Sequence, residues 1–335
     1  MCSSWAATKG HSHVFGHRTG RLPGALRPGG GRRRGARRPV PTVFLGDSYA
    51  ANYGVPPLSD ESLEAAFCFR SAENHPAVAT RRLADKGVTL DVQADVSCSG
   101  ARIHHFWEKQ ALPLGGGEVP PQQDALTNDT RLAVGTVGGN TLGFNSVLKQ
   151  CSAALRNQSL LPGEPVAPAE PASACGEFFE TGDGKPWLDG RFAQVEADLN
   201  RMLGTIRNLS PEATPVLVGY PRLVPEDTTK CLTPAPGQTQ LPLADIPQAA
   251  MPVLDRIQQR LDEVTKKAAV AHDADFVDLY TDTAANTACD GADRAIGGLL
   301  EHAPNQLPWY AHPNEKGRDI QAAKVAERIE EILNR

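Results

Sequence analysis

Residues 41–50 read PTVFLGDSYA, and how that run is read decides the fold. Val43, Phe44 and Leu45 form a short apolar block with no polar alternation, the pattern of a strand buried on both faces. It stops at Gly46-Asp47-Ser48, residue types that favour turns. Four more runs read as strands: VTLDVQADVS (88–97), RLAVGTVGG (131–139), TPVLVGY (214–220) and ADFVDLY (274–280). Between and after them lie longer segments with apolar residues at helical spacing, at 188–209, 253–272 and 314–335. Strands alternating with helices predict an α/β fold, a central, mostly parallel five-stranded sheet covered on both faces. In such sheets ligands bind beyond the carboxyl ends of the strands. The chemistry is therefore expected in the residues just after each strand.

The chain has 335 residues, 40% of them hydrophobic, enough for a sizeable core. Residues 41–335 read as one domain, with GEPVAPAEPASA (163–174) as a loop inside it rather than a linker. Residues 1–40 differ in kind. They hold nine basic residues and no acidic one, whereas the rest holds 25 basic and 39 acidic, a balance of −14. The basic segment has no apolar periodicity and reads as disordered. Its RRRGARR run (32–38) contains twin arginines, but no apolar stretch follows, so a solvated tail or an upstream start codon is expected rather than an export signal. An acidic body binds nucleic acid poorly, so no nucleic-acid partner is expected. No apolar run approaches the roughly 20 residues of a membrane span, so no stable membrane insertion is expected. No segment advertises an apolar interface, and a monomer is the expectation.

Leaving aside Cys2, six cysteines remain: Cys68, Cys98, Cys151, Cys175, Cys231 and Cys289. None forms a C-x-x-C pair or a Cys/His cluster of zinc spacing, so no metal is expected. Joining each to its neighbour would close the loops 68–98, 151–175 and 231–289, each worth about 3–4 kcal/mol by the loop-entropy account. Six buried thiols are the competing reading.

Three strand ends carry candidate chemistry. Ser48 follows the first, where its backbone N–H can face an anion. Gly100, in SCSGARIHHFW (97–107), ends the second, and the lack of a side chain admits a ligand to the backbone. Asn140 follows Gly138-Gly139 after the third, with an amide able to donate to an oxyanion. That glycine pair lacks the order of a nucleotide-binding loop. His104 and His105 stand near Glu108 without a third metal ligand and read as surface or pocket-wall histidines. Near the end, LPWYAHPNEKG (307–317) sets His312 just before the last helix. A histidine acting as base needs an acceptor to fix its tautomer, and the residues before this one are Trp309, Tyr310 and Ala311.

These four blocks, in this order from Ser48 to His312, resemble the SGNH (GDSL) hydrolase family. The resemblance implies a three-layer α/β/α sandwich of flavodoxin-like type, with Ser48 as nucleophile and His312 as base. It implies an oxyanion hole built from the N–H groups of Ser48 and Gly100 and the amide of Asn140. Asp47 is a structural member of the first block. The family usually has an aspartate three residues before its histidine, and here that position is Trp309. The secreted actinomycete-type esterases and lipases of the family include Ser–His dyads with a Trp-x-x-His block and three sequential disulfides. That arrangement implies that the main-chain carbonyl of Trp309 orients His312, with Asp319 a weaker substitute. It also implies a secreted enzyme that hydrolyses small-molecule or lipid carboxylic esters without a cofactor. Competing readings keep the fold but take acetylated carbohydrate or phospholipid acyl esters, or make the chain a catalytically dead secreted binding protein. Phe106, Trp107 and Phe144 are read equally as pocket wall or as core.

Overall fold

The computed structural model describes residues 38–156, 174–304 and 308–335. The basic segment through residue 37 and nearly all of the 163–174 loop lie outside the described residues. Five strands form the main sheet: β1 (Val40–Gly46), β2 (Leu90–Asp95), β3 (Leu132–Thr136), β4 (Thr214–Val218) and β5 (Asp275–Val277). Their order across the sheet is β2-β1-β3-β4-β5, and every pairing is parallel. This is the doubly wound, flavodoxin-like order, whose crevice opens where the winding reverses, between β1 and β3.

Side chains alternate across β1, and that alternation builds two cores. Val43 and Leu45 face one layer, while Phe44 faces the other. The first layer is made by α2 (Phe144–Cys151), α3 (Gly184–Leu209) and α4 (Met251–Ala271). The second is made by α1 (His75–Asp85) and α5 (Glu315–Leu333). In α5 the buried residues Ala322, Val325, Ala326 and Ile329 recur at helical spacing and meet Val78, Ala79 and Leu83 of α1. Each larger side chain buried this way contributes about 1.5–3 kcal/mol.

All five expected strands and all three expected helices are present; the four later strands are shorter than expected, while the first two helices start earlier, at Gly184 and Met251. The run at 131–139 stops at Thr136 because Gly139–Leu142 is a helical turn. The run at 274–280 stops at Val277 because Asp278 caps the turn Leu279–Asp282 through its side chain. The six cysteines pair with their neighbours, with Cα–Cα distances of 4.4 Å for Cys68–Cys98, 5.1 Å for Cys151–Cys175 and 4.7 Å for Cys231–Cys289. These separations suit a disulfide bridge. No helix among the described residues is long and apolar enough to cross a membrane.

Candidate active site

The first turn of the site is forced by Gly46. Its φ is +132°, and a Cβ there would lie 2.5 Å from the Thr136 carbonyl oxygen of β3. Only glycine takes that backbone without strain. Gln122 grips it from the side, accepting from the Gly46 N–H at 2.9 Å and donating to its carbonyl at 2.9 Å. The chain then bends sharply into the one-turn helix Ser48–Ala51. Asp47 caps that turn, accepting from the Tyr49 N–H at 2.9 Å. Ser48 thus sits at the carboxyl end of β1, on the wall of the crevice, and is 8% exposed.

His312 comes to Ser48 from the far end of the chain. Its Nε2 lies 2.7 Å from Ser48 Oγ, and its Nδ1 lies 2.8 Å from the main-chain oxygen of Trp309. A carbonyl only accepts, so Nδ1 carries the proton and Nε2 is left to accept from the serine hydroxyl. The reversal that brings the Trp309 carbonyl under the ring uses two left-handed residues in succession, Tyr310 at φ +48° and Ala311 at φ +62°. Such backbone persists where surrounding contacts over-determine it. Here the Trp309 N–H donates to Glu301 O at 2.7 Å, the Gly297 N–H to His312 O at 2.9 Å, and the Tyr49 hydroxyl to Ala311 O at 2.6 Å. Asn314 then caps α5, accepting from the Gly317 N–H at 3.0 Å. The Trp309 indole is buried against Gly54 and Gly297. Asp319 points elsewhere and pairs with Arg318 at 2.8 Å. Burial between the rings of Tyr49 and Tyr53, each with its centroid 4.9 Å from the imidazole, pushes the His312 pKa down to about 4, against the opposing pull of the Trp309 carbonyl.

Gly100 and Asn140 line the same crevice. Gly100 has φ +78° and follows Ser99, whose N–H is held by Cys68 O at 2.9 Å beside the Cys68–Cys98 bridge. Asn140 lies in the turn Gly139–Leu142, and its Nδ2 donates to Ala101 O at 3.0 Å. That bond ties the Asn140 turn to the Gly100 turn and uses one of two amide hydrogens. Ser48, Gly100, Asn140 and His312 all line one cavity of about 320 Å³. Its apolar wall comes from Phe144, Leu148, Leu223 and Leu261. Of the three aromatics read two ways, Phe144 lines the cavity, Phe106 is core at 2% exposure, and Trp107 packs beneath Arg201, 3.8 Å from its ring centroid.

His104 and His105 face a neighbouring cleft rather than the dyad. His105 Nδ1 accepts from the Arg102 N–H at 3.1 Å, and burial lowers its pKa to about 3. No group of three or more His, Cys, Asp or Glu among the described residues is arranged to hold a metal ion.

Sequence reasoning passed over Tyr220. Its hydroxyl accepts from the Gly139 N–H at 2.8 Å and donates to Asp47. Burial raises the Asp47 pKa to about 7, although the Tyr220 and Tyr49 hydrogen bonds pull it the other way. The available signal was positional, since Tyr220 stands just past β4 as Ser48 stands just past β1.

The chain is similar in sequence and fold to known ester hydrolases. Residues 44–320 match the GDSL-like lipase/acylhydrolase family. The chain is 68% identical to an esterase of Streptomyces scabiei over 302 residues, which span 89% of this chain and 88% of that protein. It is 30% identical to lipase 2 of Streptomyces coelicolor, over 87% of this chain and 85% of the other. Among solved structures, an extracellular lipase from Streptomyces rimosus superposes with a TM-score of 0.58 at 20% identity, covering 86% of this chain and 99% of that one. A phospholipase A1 from Streptomyces albidoflavus superposes with a TM-score of 0.53 at 20% identity, covering 88% and 98%.

Proposed function

The chain belongs to the GDSL-like lipase/acylhydrolase family and is a carboxylic ester hydrolase; from that premise we propose that it works through an acyl-enzyme on Ser48, with His312 as its base and no carboxylate in the relay. The observation that carries this reading is the pair of contacts on one imidazole, 2.7 Å to Ser48 Oγ and 2.8 Å to Trp309 O. An alkyl hydroxyl is a weak nucleophile until a base takes its proton. His312 Nε2 accepts that proton as Ser48 Oγ attacks the ester carbon. The carbonyl oxygen gains negative charge, which the N–H groups of Ser48 and Gly100 and the Asn140 amide stabilise. His312 then hands the proton to the departing alcohol. Water repeats the sequence on the acyl-enzyme and releases the acid.

The apolar wall of Phe144, Leu148, Leu223 and Leu261 favours an aliphatic acyl group over a sugar on the cavity side. At about 320 Å³ the cavity is near the small end of ligand pockets, which run to about 1,000 Å³. Oxidatively folded protein is therefore expected to hydrolyse p-nitrophenyl butyrate and octanoate faster than palmitate. A fluorophosphonate should add once, at Ser48. Folded protein that neither turns over these esters nor takes the label would sink the proposal and leave a binding protein.

The absent carboxylate has a kinetic signature. His312 must be neutral to accept a proton, and burial has lowered its pKa to about 4. Activity as kcat/KM is therefore expected to rise with pH through about 4 and to be level by pH 6. A limb centred between pH 6 and 7 would mean that burial leaves His312 with an ordinary imidazole pKa. The three disulfides support an oxidising, extracellular setting.

A further inference from the structure

We propose that Tyr220 is a positioning residue that holds the Asn140 turn in register with the nucleophile. The inference rests on the reading of Asn140 as an oxyanion donor.

Ser48 follows β1 and Asn140 follows β3, so their separation depends on two adjacent loops. The strands fix Gly46 opposite Thr136, but the ladder ends there. Beyond that pair the turns need another tie. Gly139 opens the turn Gly139–Leu142, and its N–H is among those that find no partner within a helix start. The Tyr220 hydroxyl supplies an acceptor at 2.8 Å. The same hydroxyl donates to Asp47, whose other carboxylate oxygen takes the Tyr49 N–H at 2.9 Å. A phenol both accepts and donates at one oxygen, and its rigid ring spans from β4 to the gap between the two turns. Tyr49 braces that ring edge-on, with centroids 4.8 Å apart. Ser48 lies between Asp47 and Tyr49 in the chain, so nucleophile and amide donor are joined by one continuous chain of bonds. Removing the hydroxyl orphans a buried N–H and one oxygen of the Asp47 carboxyl group together. The Asn140 amide then shifts relative to the forming oxyanion, with little change in how the ground-state ester sits.

The test is Tyr220→Phe, measured per active site titrated with a fluorophosphonate so that unfolded molecules do not count. With p-nitrophenyl butyrate, kcat is expected to fall about 10- to 100-fold and KM to change less than twofold, a fraction of the 10²–10³-fold effect of deleting a whole donor. Affinity for a trifluoromethyl ketone, whose adduct on Ser48 carries the oxyanion, should fall by the same factor as kcat. Gly139→Ala is a second, milder variant, because its Cβ would stand 3.2 Å from the Tyr220 hydroxyl and ring. It should show the same split at severalfold, and it decides the matter if Tyr220→Phe does not fold. Asn140→Ala separates the two layers of the argument. If it keeps activity within twofold, the oxyanion reading falls and this inference with it. If Asn140→Ala is crippled while Tyr220→Phe and Gly139→Ala keep kcat within twofold, only this inference falls. A loss carried by KM, or by melting temperature alone, also overturns it.

Discussion

Replacing His312 with alanine is expected to lower kcat on a soluble ester by about 10⁴- to 10⁶-fold, and replacing Ser48 with alanine to do the same. The two changes together should cost little more than either alone. The reason lies in the single contact of 2.7 Å between Nε2 and Oγ. In the proposed mechanism the hydroxyl attacks only as its proton leaves, so removing either partner would remove the whole step. What survives is the background from oxyanion stabilisation and binding, common to all three variants. Folding should be little affected at Ser48, where a hydroxymethyl side chain becomes a methyl in a cavity wall. Steady-state rates for the three variants, with thermal melts alongside, check this. Additive losses in the double variant would show that serine and histidine act in separate steps.

The second large effect falls on stability rather than on rate. Trp309→Ala is expected to destabilise the protein by about 3–5 kcal/mol, as for other buried tryptophans cut back to alanine. The indole is 5% exposed and packs with Val55 and Ala303. A Cβ on Gly297 would stand 2.2 Å from the indole, so that glycine leaves the ring room that nothing else would fill. The group that orients His312, however, is the main-chain oxygen, which alanine retains. Turnover per folded molecule should therefore stay within about tenfold of the parent. Urea denaturation gives the first quantity, and rates per titrated site give the second. A loss beyond 10³-fold in folded protein would mean that the indole itself takes part in the chemistry.

Position 309 also shows what sequence could convey. The strands were legible because β1 and β3 are apolar on both faces, and helices α3, α4 and α5 because their buried residues recur at helical spacing. Helix α1 was passed over because its buried apolar side chains are few. Yet Asn74 caps it and Pro76 sits in its first turn, the usual marks of a helix start. The short α2 was missed because it begins straight after another turn, at Gly143. Ser48, Gly100, Asn140 and His312 were legible as ordered blocks, and the structure brings all four to one cavity. The role of Trp309 was reached only through resemblance to a family. A carbonyl belongs to every residue, and its direction depends on the left-handed backbone at Tyr310 and Ala311. Tyr220 had no motif around it, and its partners, Asp47 and Gly139, lie 173 and 81 residues away in the chain.

The parts of the cavity come from different places in the chain, and that division bears on how such an enzyme diversifies. The groups assigned to bond-breaking lie on turns locked to strand ends and to one another. The apolar wall lies on the helical faces of Phe144, Leu148 and Leu261 and on Leu223. Substitutions on those faces can reshape the cavity wall while leaving the turns that carry Ser48, Asn140 and His312 in place. Selection, in nature or in a library, can therefore explore new substrates one wall residue at a time without passing through an inactive ancestor.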